Sequence, residues 1–286
     1  MKNNTRVKVP IPYVGGKFYL VNWILSNFPH HNIYVEPFGG AGHVILKKSM
    51  VGLDVYNDTC EEMVTVFRVL QDEEKSEKLL RLIHLTPFSR KFFNELRDGK
   101  YRFSSSVPED IQKAYYTLVM LKQGFSGKLK NKKPSWGFSR RSDASKKTKA
   151  FKNFPEKLIP IIERLKEIQI EFLDFKDCIR KYDSAETLFY CDPPYYDREF
   201  YYQGGFTKDN HRELAEMLNN IEGKCAVSYY HFDGIEKLYP PGKWRYEKKE
   251  TNLSSQKVKG EKRQKSTEIL IMNYPPAVPD SEQIEI

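Results

Sequence analysis

The sequence predicts an α/β protein, a sheet of mostly parallel strands split by a helical insertion of roughly a hundred residues, which is the size of a small domain. Three observations predict it. Near the N-terminus two strand-like runs, IYVEPF and VGLDVYN, flank a glycine-rich loop in the manner of a βαβ unit. From about residue 60 to 168 the apolar spacing is helical and no strand signal interrupts it. Beyond that, strand and helix signals alternate again.

The elements follow in order. Residues 17–28 (KFYLVNWILSNF) carry Leu20, Val21, Ile24, Leu25 and Phe28 at helical spacing. The strand IYVEPF leads through GGAG into a predicted helix from about Gly42 to Met50, and the next strand stops at Asp58. EEMVTVFRVLQ, EKSEKLLRLIH, SRKFFNELR, EDIQKAYYTLVMLKQ and EKLIPIIERLKEI supply the helices of the insertion. IQIEFLD and ETLFYC read as strands. They precede an amphipathic helix with Thr207 as N-cap and Leu214, Met217, Leu218 and Ile221 on one stripe. KCAVSYY, a short helix near Asp233 to Leu238, WRYEKKE and EILIMNY close the pattern. The sheet domain is thus expected over 1–60 and 168–286, with the insertion over 61–167.

Composition narrows the class. The 286 residues are 40% hydrophobic and 14% aromatic, enough for a packed core, and no apolar run approaches the roughly 18 residues of a membrane span. The N-terminus MKNNTRVKVPIPY lacks the apolar centre of a signal peptide. Cys60, Cys178, Cys191 and Cys225 show no spacing for zinc or a redox couple, so a reduced, cytoplasmic setting is expected. The net charge of +9 is local: Lys128 to Lys152 holds ten Lys or Arg against the single acid Asp143. A second run, Lys243 to Lys265, holds nine basic and three acidic residues. Such segments track a phosphate backbone, or form a solvated loop. Within the first, Lys128, Lys130, Lys132, Lys133, Arg140, Arg141, Lys146, Lys147 and Lys149 are the candidate phosphate contacts, with Trp136 available for a base or groove wall.

Three motifs carry chemistry. In LFYCDPPYYD, a buried strand ends at Asp192, because Pro193 and Pro194 lack N–H groups and force an extended exit. A carboxylate is therefore held at a strand's carboxyl end. In VEPFGGAGHVIL, Gly39, Gly40 and Gly42 allow a tight turn and close approach of a ligand. Asp58 follows Gly39 by nineteen residues, near the offset at which an acid meets a ribose hydroxyl, with Asp54 as its rival. Ile45 stands where a dinucleotide fingerprint has its third glycine, so a nucleoside cofactor without a pyrophosphate fits better. In PYVGGKFYL, Ile11 and Phe18 break the phosphate-loop pattern, which leaves a Gly-Gly turn placing Lys17 at a helix start, where an anion such as a carboxylate is favoured.

YVGGK at 13–17, EPFGGAG at 36–42, YND at 56–58 and DPPYY at 192–196, in that order and with a helical insertion before the last, resemble the S-adenosylmethionine-dependent DNA adenine-N6 methyltransferases of the Dam-like group. The resemblance covers nearly the whole chain. It implies a Rossmann-like methyltransferase sheet of about seven strands, ending in an antiparallel hairpin. It also implies that Tyr13, Lys17, Asp58 and Asp192 contact S-adenosyl-L-methionine, that the turn from Glu36 through Phe38 to Gly42 flanks the methionine part, and that Asp174 and Phe175 flank the adenine. Asp192, Pro193, Pro194 and Tyr195 become the expected catalytic set, acting without a metal. Asp192 and the Pro193 carbonyl draw hydrogens from an adenine amine whose lone pair is otherwise delocalised, and Tyr195 stacks on the extruded base. Tyr196 is a second aromatic neighbour. The expected partner is double-stranded DNA. An amino-methyltransferase acting on RNA or cytosine N4, and a non-catalytic nucleic-acid-binding relative, are the alternatives.

Overall fold

In the computed structural model, residues 9–13, 15–125, 134–137, 144–201, 205–252 and 265–276 are described. Their strands form one seven-stranded sheet. In chain order these are β1 (Ile33–Glu36), β2 (Leu53–Asn57), β3 (Ile168–Glu171), β4 (Thr187–Cys191), β5 (Lys224–Tyr230), β6 (Arg245–Asn252) and β7 (Lys265–Met272). Across the sheet they lie in the order β3-β2-β1-β4-β5-β7-β6, with β1 to β5 parallel and β7 antiparallel to both neighbours. This is the Rossmann-like methyltransferase sheet.

The parallel strands are apolar on both faces because helices cover both. With a side-chain period of two, Tyr34, Tyr56, Leu188 and Tyr190 pack into one apolar cluster, and Val35, Val55, Phe189 and Cys191 into the other. The first cluster continues into α1 (Val21–Leu25), α2 (Glu61–Gln71), α3 (Glu73–His84), α4 (Arg90–Arg97), α5 (Glu109–Gln123), α6 (Ala144–Lys152) and α7 (Phe154–Leu165). The second takes in α8 (Phe175–Tyr182), α9 (Lys208–Asn220) and α10 (Ile235–Leu238). Six consecutive helices, α2 to α7, lie between β2 and β3 among the described residues, so the long stretch of helical spacing over 61–167 is matched by helices.

Four elements differ from expectation. Residues 42–50 form turns rather than a helix: Gly42 sits at φ +65°, and Leu46 and Lys48 make only single bonds back to Gly42 and Val44. The helix expected over 17–28 is confined to Val21–Leu25, since Leu20 offers no capping side chain and Pro29 follows. The last part of the expected basic loop, 144–152, is helical, as Ala and Lys favour there. The short helix α8, started by the Asp174 side chain accepting from the Lys176 amide at 2.9 Å, was not foreseen.

Chain direction across the sheet reverses between β1 and β4. In open α/β sheets a crevice forms outside the carboxyl ends of the strands at such a switch point. The loops that follow β1, β2, β3 and β4 meet there.

Candidate active site

A cavity of about 1010 Å³ of open space, its mouth included, lies at that switch point. It is walled by Tyr13, Lys17, Glu36, Phe38, Gly39, Gly40, Asp58, Asp174, Phe175, Asp192 and Pro194, among others. Nearly every cofactor residue expected from the motifs thus comes together. Gly42 is absent from the wall and shapes the turn instead, packing against Phe67 with a positive φ.

The turn after β1 is fastened to β2. Gly39 donates its amide to the Asn57 carbonyl at 2.8 Å, the Tyr56 hydroxyl donates to Gly40 O at 2.7 Å, and the Gly40 amide donates to Asp58 Oδ2 at 2.7 Å. A Cβ on Gly39 would stand 2.2 Å from the Tyr56 ring, so the backbone approach requires glycine. Asn57 is fully buried and ties three loops: its amide donates to Pro37 O and Leu173 O, and its Oδ1 accepts from the Leu173 amide. Asp58 Oδ1 also accepts from the Cys60 amide at 2.7 Å, which caps the entry to α2. Burial raises the Asp58 pKa, against the backbone amides that favour its carboxylate.

Asp54, the rival acid, points elsewhere. It is buried in an ion-pair cluster with Lys48 at 3.0 Å and with Arg164, and it has no place in the cavity wall. Tyr13 lies over the glycine turn, near enough that a Cβ on Gly40 would come within 3.2 Å of its ring.

One end of the cavity is aromatic. Phe38 and Phe175 stack with ring centres 5.4 Å apart, and Phe206 closes on both at 5.7 Å. Phe206 and Asn210 were missed by the motif reading. Asn210 belongs to the capping box that starts α9, where Thr207 and Asn210 bond reciprocally as the sequence signal at Thr207 foretells. His43, also on the wall and also missed, has its pKa pushed down to about 4 by burial and by the neighbouring Lys17.

At the end of β4, the Asp192 side chain keeps 19% of its surface open while Pro193 and Pro194 beneath it are buried. Lys17 Nζ donates to Asp192 Oδ1 at 2.7 Å, so the anion met by Lys17 is the protein's own carboxylate. Burial pushes the Asp192 pKa up to about 6, with Lys17 opposing and Glu268 reinforcing the rise. Glu36, 2% exposed and accepting from the Tyr34 hydroxyl at 2.6 Å, is pushed by burial to about 8.

Tyr195 does not offer an open face. It is 4% exposed, its ring packs edge-on against Tyr230 at 4.5 Å, and its hydroxyl accepts from Lys17 and donates to Glu268 at 2.5 Å. The hydroxyl's need for partners draws the ring inward. Tyr196 is half-buried and stacks on Phe232 with centres 4.3 Å apart and planes 6° from parallel.

Of the expected DNA contacts, Lys146, Lys147 and Lys149 are exposed on α6. Lys128, Lys130, Lys132, Lys133, Arg140 and Arg141 lie outside the described residues. Trp136 spends its ring on packing against Phe88 and Phe93, at 4.8 and 5.4 Å, and pairs with Gly124 through an isolated bridge. It anchors its segment to the core. Among the described residues no group of three or more His, Cys, Asp or Glu is placed to hold a metal, and no helix is long and apolar enough to cross a membrane.

The chain is 26% identical over 238 residues to the type II methyltransferase M.FokI of Planomicrobium okeanokoites, an alignment covering 78% of this chain and 35% of that protein, so the chain spans about a third of that relative. It is 24% identical over 236 residues to the DNA adenine methylase of Vibrio cholerae serotype O1, covering 76% of this chain and 78% of that one. A solved rRNA methyltransferase, aviRa from Streptomyces viridochromogenes, superposes at 9% identity with a TM-score of 0.34 over 91% of this chain and 84% of that one. The model of the D12 class N6 adenine-specific DNA methyltransferases matches residues 13–253. With the match running over most of its length, and with Asp192 and the glycine turn facing one cavity at the switch point, this chain belongs to the D12 class N6 adenine-specific DNA methyltransferase family.

Proposed function

We propose that the protein transfers a methyl group from S-adenosyl-L-methionine to the N6 amino group of an adenine turned out of double-stranded DNA, at a specific site. The observation that carries this reading is Asp192: a partly open carboxylate on a proline-stiffened turn, facing the same cavity as the glycine turn and the phenylalanine cluster. A DNA methyltransferase needs a methyl donor, and the residues present fit this one. The Phe38, Phe175 and Phe206 rings suit a purine, beside Asp174. Asp58 is on the cavity wall with its oxygens oriented by the Gly40 and Cys60 amides, which suits it to accept from a ribose hydroxyl. Tyr13, Lys17 and the turn from Glu36 to Gly42 would flank the methionine portion. When bound, the cofactor supplies a methyl group already activated by a sulfonium charge.

With its pKa near 6, Asp192 is mostly ionised at neutral pH and accepts a hydrogen from the adenine amine, which returns electron density to the nitrogen. The carbonyl of Pro193 is the second acceptor, and Pro193 and Pro194 hold both in place. Stacking of the extruded base falls to the half-buried Tyr196 and Phe232, and offsets the few kcal/mol of unstacking. Residues 61–167 form the DNA-facing part, with Lys146, Lys147 and Lys149 exposed for phosphates. Four buried free cysteines suit a reducing cytoplasm. Incubating duplex DNA with the protein and methyl-labelled cofactor, then digesting to nucleosides, is expected to give label in N6-methyladenine. Label in N4-methylcytosine, or transfer to RNA alone, would contradict the reading.

A further inference from the structure

Glu268 belongs to none of the motifs, yet it ends a buried polar chain that begins at Asp192. It lies on β7, is 1% exposed, and pairs in register with Tyr230 of β5 and Lys249 of β6. A buried carboxylate is costly unless it is bonded and paired. The bond directions follow from the donors available. The Lys17 ammonium has no acceptor, so it donates to Asp192 Oδ1 at 2.7 Å and to the Tyr195 hydroxyl. That hydroxyl has one proton, which goes to Glu268 Oε1 at 2.5 Å. The same Oε1 lies 3.4 Å from Lys17 Nζ. Lys17 therefore bridges two carboxylates, hydrogen-bonded to Asp192 and sharing its charge with Glu268.

The other groups around this chain do not substitute for Glu268. Glu36 on β1 and Tyr190 on β4 face Asp192 from the sheet, and Tyr229 and Tyr230 face it from β5. Arg198 lies over the Tyr230 ring at 5.1 Å, and Lys249, opposite Glu268 in register, directs its ammonium over Trp23 at 5.6 Å. His43 neighbours Lys17 and is largely uncharged near neutral pH.

We propose that Glu268 is a positioning residue for methyl transfer: by sharing the charge of Lys17 and orienting the Tyr195 hydroxyl, it fixes Lys17 on one oxygen of Asp192 and keeps that ion pair from neutralising the carboxylate that accepts the hydrogens of the substrate amine. This rests on the proposed role of Asp192. The test is Glu268→Gln, whose amide oxygen still accepts from Tyr195 while its charge is gone. Steady-state methylation of duplex DNA should show kcat lowered about tenfold, less than the roughly 10²–10⁴ of a direct acid–base group because Glu268 acts through Lys17 and Tyr195, with KM for DNA and cofactor unchanged. The acid limb of kcat/KM should fall by about one pH unit, because removing a like charge eases ionisation of Asp192. Tyr195→Phe, which cuts the link and leaves the Glu268 charge, should lower kcat without that downward shift, and it decides the matter if Glu268→Gln does not fold. A wild-type kcat and limb in Glu268→Gln, a raised KM with the limb unmoved, or a wild-type kcat in Tyr195→Phe would overturn the inference. Asp192→Ala, run alongside, separates the two levels: if it still methylates, the reading of Asp192 fails, whereas its loss beside an unaffected Glu268→Gln removes only the role of Glu268.

Discussion

Asp192 and Glu36, like Asp58, hold their protons more tightly than usual, and for one reason. Asp192 and Glu36 are withdrawn from water, and burial outweighs their partners, Lys17 for the one and Tyr34 for the other. The consequence for activity is an acid limb: kcat/KM should rise with pH to a half-maximum near 6, as Asp192 ionises. The consequence for stability has the opposite sense. An acid whose native pKa exceeds its unfolded one stabilises the fold below the unfolded value, and that stabilisation is lost as pH rises through the native value. For Glu36 the window runs from its ordinary 4.5 to about 8. Urea denaturation across that range should therefore show wild-type stability falling with pH, and Glu36→Gln should flatten the fall. An unchanged slope would mean that Glu36 is ionised in the fold.

At the scale of elements, the turn after β1 and the basic helix α6 bear opposite kinds of load. The turn works by exclusion, since a methyl group at Gly39 collides with the Tyr56 ring. Gly39→Ala should cost about 1–3 kcal/mol as an overpacked site and should weaken cofactor binding measured by calorimetry. The helix α6 works by charge on an exposed face. Replacing Lys146, Lys147 and Lys149 by Gln should flatten the dependence of log affinity on log salt by up to about 0.9 per phosphate contact, while duplex binding weakens across all sequences. An unchanged salt slope would make α6 a solvated surface.

The same elements mark what the sequence reveals. Periodicity located α2, α5 and β5 to the residue because each buries a continuous stripe or run. It overextended the first helix and created one after Gly42, since turn-forming positive φ and missing caps leave no trace in apolar spacing. It missed α8, an eight-residue helix announced only by the cap at Asp174.

For the molecule as a whole, the site was legible where function presses on a short contiguous motif, and illegible where the fold assembles distant residues. YVGGK, EPFGGAG, YND and DPPYY each sit at a strand or helix end of the switch point, and their residues meet in one cavity. Phe206, Asn210 and Glu268 join them only through the packing of α9 and β7, so spacing along the chain could not single them out. Tyr195 was expected as an open stacking face and is a bonded core residue, a difference decided by the buried partners Lys17 and Glu268. The placement of Asp192 at the carboxyl end of β4 is common to every part of this account. Its most direct test is single-turnover methylation of duplex DNA by Asp192→Ala, with cofactor and DNA affinities measured on the same sample. The account predicts a rate lowered by about 10²–10³, the worth of one lost group stabilising the developing charge, with both ligands still bound. Methylation at the wild-type rate by a cofactor-loaded Asp192→Ala protein would contradict it.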